Sequence, residues 1–146
     1  MKYRRWIYTD IVKIAEFQKK HFPDAWTFQQ LADSFLNGRF YGYLVEEEGE
    51  IIACSAINFS LEDADLVNVL VAHSYRNMGI ATRLMEEMFD DCKKMELKSL
   101  FLEVRESNYP AINLYEKNGF KEISRRVNYY KDGETAIIMK KEFNYR

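Results

Sequence analysis

The chain has 146 residues, with 21 basic and 23 acidic side chains, a net charge of −2 and a sequence pI near 5.8. Hydrophobic residues at 47% and aromatics at 15% exclude a disordered chain. The near-neutral balance argues against a general nucleic-acid binder, which would carry a basic excess or stripe.

One domain over residues 1–146 is expected, long enough to bury a core without a disulfide or metal staple. Cys54 and Cys92 have no C-x-x-C partner and no histidine at ligand spacing, so both read as buried reduced thiols and no metal is expected. No apolar run approaches the roughly 18 residues of a membrane span. The basic start, Met1 to Trp6, is broken up by Asp10 and Lys13 before a signal-peptide core can form, so the expected compartment is the cytoplasm.

In chain order, a strand is expected around Lys2–Tyr8, then Thr9-Asp10 as a helix cap ahead of Ile11, Ile14, Ala15 and Phe22 at helical spacing. Pro23-Asp24 ends that helix. Thr27-Phe28-Gln29-Gln30 fits a capping box opening a second helix, which Asn37-Gly38 closes. Tyr41–Glu47 and Glu50–Phe59 read as strands around a Glu48-Gly49 turn. Leu66–Val71 is apolar enough for a buried central strand. A turn with one glycine leads to a helix carrying Ile80, Leu84, Met88 and Cys92, and Ser99–Arg105 is the next strand. A further helix starts near Asn108, tolerates Pro110 in its first turn and ends at Asn118-Gly119. Phe120–Tyr130 and Glu134–Phe143 close the chain as a strand pair around Asp132-Gly133. The order βααβββαβαββ implies an α/β (α+β) fold, a mixed sheet with helices on both faces.

Arg76-Asn77-Met78-Gly79-Ile80-Ala81 lies between a strand and an amphipathic helix. Such a junction offers unpaired amides and partial positive charge, which suits a pyrophosphate. Gly79 lets backbone approach a ligand closely, and Arg76 adds charge. A Walker loop needs a second glycine and a lysine that are missing, and a dinucleotide fingerprint needs three glycines. By itself the turn is equally a tight strand-to-helix connection.

Four segments together carry more. Asn68-Val69-Leu70-Val71, Tyr75 to Ala81, Leu102-Glu103-Val104-Arg105-Glu106-Ser107-Asn108, and Ala111-Ile112 through Leu114-Tyr115 to Gly119-Phe120 resemble the GCN5-related N-acetyltransferases (GNAT). More narrowly they resemble the RimI branch, which acetylates the N-terminal alanine of a small-subunit ribosomal protein. Pro23 followed by Trp26-Thr27, the Asn128-Tyr129-Tyr130 run and the closing Ala136-Ile137-Ile138-Met139 point to that branch. The resemblance covers roughly residues 20–143 and implies the GNAT fold, a mixed, mostly antiparallel central sheet flanked by helices on both faces. Three positions depart from the pattern: Ala81 stands at a usual glycine, Asp24-Ala25 separates Pro23 from Trp26, and Thr135 replaces an acidic residue. The last two fall in the acceptor-side loops.

The resemblance implies acetyl-CoA as cosubstrate, with the pyrophosphate on the amides of Arg76, Asn77, Met78, Gly79, Ile80, Ala81 and Thr82 and the pantetheine arm along Val69, Leu70 and Val71 as a pseudo-strand. Asn108 is expected to touch the cofactor and to cap its helix. An α-amino group with a pKa near 7.7–8.0 needs a base at neutral pH, and Glu103, a carboxylate inside an apolar strand near its C-terminal end, is the candidate. From the residues alone, a strand glutamate paired with Arg105 or a lysine is the commoner outcome. A backbone amide at Leu70 or Val71 is the expected oxyanion donor if that strand bulges. Tyr115 is the candidate acid for the departing thiolate, or simply a packed helix tyrosine.

Of the remaining candidates, His21 and His73 read as surface or helix-end residues, Glu46-Glu47-Glu48 as a solvated run and Glu62 to Asp65 as a solvated acidic loop, with attraction of a cationic acceptor as its functional alternative. Tyr129 and Tyr130 either line an acceptor groove or pack at a strand edge. The expected acceptor is a protein N-terminus, with no direct nucleic-acid or membrane partner. A small amine or lysine side chain is the same-fold alternative, and a non-catalytic CoA-binding module the alternative of another class.

Overall fold

The computed structural model describes residues 1–144. Among these residues, strands β1 (Lys2–Arg5), β2 (Phe40–Glu47), β3 (Glu50–Phe59), β4 (Asp63–Val71), β5 (Ser99–Arg105), β6 (Lys121–Arg126) and β7 (Ala136–Glu142) form one sheet in the order β1-β2-β3-β4-β5-β7-β6. Every neighbouring pair is antiparallel except β4 and β5. Helices α1 (Ile11–His21), α2 (Phe28–Leu36), α3 (Ile80–Lys94) and α4 (Tyr109–Lys117) complete the α/β architecture.

Strand alternation splits the core into two layers. Leu44, Cys54 and Ala56 face α1 and α2, meeting Ile11, Ile14, Phe17 and Leu31. Tyr43, Val45, Ala53 and Ile57 face the other way, onto Leu84, Met85 and Met88 of α3 and onto Tyr115 and Phe120. The central strands are therefore apolar on both sides, and helices cover both faces of the sheet. Cys54 and Cys92 are buried free thiols whose pKa values burial pushes up to about 12, so both are protonated packing groups.

Helix boundaries follow local chemistry. Thr27 accepts the Gln30 N–H at 3.2 Å while Gln30 Oε1 accepts the Thr27 N–H at 2.9 Å, so both halves of the capping box form. Asn108 Oδ1 accepts the Ala111 N–H at 3.3 Å ahead of α4, with Pro110 in the first turn. The first strand is shorter than its pattern predicts. It stops at Arg5, and Tyr8–Asp10 form a 3-10 turn pinned by Asp10, which accepts the Ile7 N–H at 2.7 Å and both Arg4 Nη groups at 2.8 Å. Asp10 thus caps the turn before α1 and makes no side-chain cap to the helix itself. Gly42 is required where β2 passes under Trp6, because a Cβ there would lie 2.2 Å from the indole.

Three other expectations are corrected. The terminal pair is shorter than predicted, with residues 127–135 forming a loop, so Tyr129 and Tyr130 sit on that loop and not on a strand. Asn128 there adopts φ +55°, a left-handed conformation that ends extended pairing. The segment read as an acidic loop is strand: β4 begins at Asp63 and includes Asp65. From Val67 to Val71 that strand is only half-buried, contrary to the expected buried core, because β5 leaves its side.

Candidate active site

The site is an opening in the sheet. β4 and β5 pair only through Asp63–Asp65 with Ser99–Phe101. Beyond that, β4 stays with β3 and β5 with β7, so the two strands part like the arms of a V. The cause lies in the β3–β4 register. Ala56 pairs with Asn68 and Ile57 with Leu66, leaving Val67 as an extra residue that bends and twists β4. The facing edges present main-chain groups to the gap, the usual condition for a strand-like ligand.

The gap opens into a cleft of about 780 Å³. Val69, Leu70, Glu103, Asn108 and Tyr115 all line it, so five of the predicted site residues are brought together from β4, β5 and α4. Val71 and the Arg76–Thr82 corner lie outside its lining, at the far end of β4. A 3-10 turn (His73–Tyr75) connects them to the strand, and the Arg76 Nε donates to the Val71 carbonyl at 3.2 Å.

That corner has the features a pyrophosphate requires. Gly79 is the N-cap of α3 at φ +79°, and the first intrahelical bond runs from the Arg83 N–H to the Gly79 carbonyl at 3.1 Å. The amides of Gly79, Ile80, Ala81 and Thr82 therefore have no partner within the helix. A Cβ on Gly79 would meet nothing within 4 Å, so the corner is open at that position. The donor set and the room both fit an anionic diphosphate.

Glu103 and Tyr115 sit in contrasting surroundings. Glu103 projects into the cleft with its side chain 36% exposed, and its ionic partner is Arg126 at 3.7 Å, not Arg105. Tyr129 lies near the same carboxylate, and that proximity raises the Tyr129 pKa. Tyr115 is buried on α4 against Phe120, with ring centroids 5.7 Å apart. Burial pushes its phenol up to about 12, against a smaller downward pull from the Val69 backbone amide that faces the oxygen. That amide lies two residues past the bulge. Such a phenol stays protonated at neutral pH and can donate a proton, whereas a half-exposed carboxylate can accept one.

Three further charged residues line the cleft, of which the sequence offers only Asp65 as a group that could attract an acceptor. Asp65 is opposite Asn58 of β3 and Phe101 of β5, and its carboxyl is raised by burial first and then by repulsion from Glu103 and Asp63. Its signal was present in the alternation of Asp63 and Asp65 with Ala64 and Leu66. Arg126 holds Glu103 from β6, and Arg105 binds Asp24. Neither pairing has a local sequence signature. Among the described residues, no group of three or more His, Cys, Asp or Glu is placed to hold a metal ion.

The sequence profile of the acetyltransferase (GNAT) family matches residues 7–120. The chain belongs to the acetyltransferase (GNAT) family. This GNAT chain is 33% identical, over 139 residues covering 86% of its length and 94% of the relative's, to the ribosomal protein bS18-alanine N-acetyltransferase of Escherichia coli. It is 28% identical over 144 residues, 90% of the chain and 86% of the relative, to an N-alpha-acetyltransferase of Sulfurisphaera tokodaii. The crystal structure of the Escherichia coli ribosomal-protein-S18-alanine N-acetyltransferase superposes with a TM-score of 0.90 at 30% identity, covering 99% of this chain and 95% of the other. The GNAT fold also matches, at a TM-score of 0.85 and 18% identity, a chain of the NatC complex bound to Gag peptide and CoA; it covers 98% of each chain and is a likeness of fold alone. The protein is an acetyl-CoA-dependent N-acetyltransferase that resembles the RimI branch. Among the described residues, no helix is long and apolar enough to cross a membrane.

Proposed function

We propose that this enzyme acetylates the N-terminal α-amino group of a protein, with the N-terminal alanine of a small-subunit ribosomal protein as its acceptor. The observation that carries this reading is the likeness to the Escherichia coli ribosomal-protein enzyme along nearly the whole chain, at 30% identity and a TM-score of 0.90. The cleft supports it: a carboxylate and a protonated phenol face one gap beside an unpaired strand edge. The reading takes residues 1–146 as a single catalytic domain acting in the cytoplasm.

Acetyl-CoA would supply the activated acetyl thioester. Arg76, Asn77, Met78, Gly79, Ile80, Ala81 and Thr82 would hold its pyrophosphate, Val69, Leu70 and Val71 its pantetheine arm through main-chain bonds, and Asn108 the same arm through the amide nitrogen left over from capping α4. Glu103 takes the proton of the incoming ammonium, directly or through water, with Arg126 as its ionic partner and Tyr129 beside it. Tyr115 keeps its proton until the thiolate departs. Its burial makes the charged phenolate costly, so the phenol holds its proton until a poorly solvated thiolate beside it takes it.

The test is an acetyl-transfer assay following CoA release with three acceptors: a short alanine-initiated peptide, a polyamine, and an N-terminally blocked lysine peptide. Transfer to the alanine peptide above the others is the expected result. Transfer to the polyamine alone would remove the protein acceptor and leave an N-acetyltransferase of small amines.

A further inference from the structure

The two arms of the V rest on different supports. β4 leans on the α1–α2 pair through Val67 and Leu70, whereas β5 is held by β7 and β6. At the foot of the V the arms are joined by main-chain pairing. At its open end they are joined by charge. Arg105, the last residue of β5, donates from Nε and Nη2 to the two carboxylate oxygens of Asp24 at 2.7 and 2.8 Å, across 81 residues of chain.

Each partner is fixed on its own side. Arg105 Nη1 donates to Asp132 at 2.8 Å and to Glu134 at 2.9 Å, both on the loop between β6 and β7, and its guanidinium lies 4.0 Å from the centre of the Tyr130 ring. Glu134 also accepts the Ser107 N–H at 2.7 Å. Asp24 sits in the loop between α1 and α2, which the buried Gln18 ties down by accepting the Trp26 N–H at 3.1 Å. Asp24 lies with Ala25 between Pro23 and Trp26. Asp24, Arg105 and Tyr130 all line the cleft.

We propose that the Asp24–Arg105 pair is a strap across the open end of the cleft, holding the two arms at the separation that grips an acceptor entering end-on. A bridged trough is a passage: a chain terminus can be threaded into it, whereas an internal loop must displace the bridge. Asp24 and Arg105 are thus acceptor-positioning residues that do not touch the cofactor corner. This rests on the reading of the cleft as a protein N-terminal acetyltransferase site.

The test compares CoA-loaded wild type, D24N and D24E by hydrogen–deuterium exchange and by steady-state kinetics. D24N should raise amide exchange in residues 22–26 and 129–134. It should raise KM for the acceptor about fivefold at low salt, the upper range for a partly exposed ion pair, with kcat and the CoA Kd held within about twofold. D24E, which keeps the charge, should recover most of the loss. Unchanged exchange overturns the strap. Raised exchange with unchanged acceptor KM, or a CoA affinity that falls in step with it, overturns the positioning role. If wild type transfers nothing to an alanine peptide, the proposed acceptor falls; the strap is then decided by the exchange data and by KM for the amine that is acetylated.

Discussion

The phenol oxygen of Tyr115, carried by α4, faces the backbone amide of Val69, carried by β4. A helix that follows β5 thus reaches back across the V to the strand from which β5 has parted. Proton donor and open strand edge meet at one point because the Val67 bulge turns β4 away from its neighbour.

Replacing Tyr115 by Phe keeps the packing on Phe120 and removes the proton. We expect kcat to fall by roughly 10²-fold, the lower range for loss of a positioned acid, while the CoA Kd measured by calorimetry stays nearly unchanged. A Kd that worsened as much as kcat would make Tyr115 a binding residue.

Glu103→Gln should lower kcat/KM by a similar factor near pH 7 and by less at high pH. An α-amine with a pKa near 7.7–8.0 loses its proton unaided above that range, so the need for a base fades. A pH–rate profile of both proteins checks this; an equal defect at every pH would exclude the base role.

Gly79→Ala tests the diphosphate corner. The added methyl clashes with nothing in the protein, but φ +79° is strained for any residue with a Cβ, by about 1 kcal/mol. CoA affinity should fall about fivefold or more, in line with that strain, with kcat at saturating cofactor largely retained.

Asp10 makes a pH-dependent contribution to stability. Hydrogen bonds from Arg4 hold its carboxyl below the usual range, against burial, which raises it. Because the folded-state value is depressed, the stabilisation is fully present above the unfolded carboxylate pKa of about 3.9 and is lost as pH falls through the folded value. Asp10→Asn should cost about 1–2 kcal/mol at pH 7. The wild-type and variant melting temperatures should converge in acid. A gap that stayed constant with pH would mean that the charge is not the source.

Much of this was legible from local chemistry. The capping box of Thr27 and Gln30, the Asn108 cap with Pro110, and the glycine at the start of α3 are short-range devices whose residue types state their geometry. Glu103 stood out because a charge inside an apolar strand has to face something polar. What stayed hidden depends on pairing at long range. Val67 looks like any strand valine, and only the register of β3 with β4 reveals it as a bulge, which in turn explains why Val67–Val71 is half-buried. The partners of Glu103 and Arg105 come from β6 and from the loop around Asp24, distances along the chain that no periodicity encodes. Tyr129 and Tyr130 are strand formers by type, yet the left-handed turn at Asn128 takes them into the loop beside the cleft.

The most direct test is a crystal structure with CoA joined covalently through an acetyl bridge to the nitrogen of an alanine-initiated peptide. The account predicts the diphosphate on the amides of Gly79 to Thr82, the pantetheine along Val69–Val71, and the alanine nitrogen in the cleft between Glu103 and Tyr115. A conjugate whose diphosphate lies away from the start of α3, or whose peptide leaves the cleft on the side opposite Glu103, would contradict it.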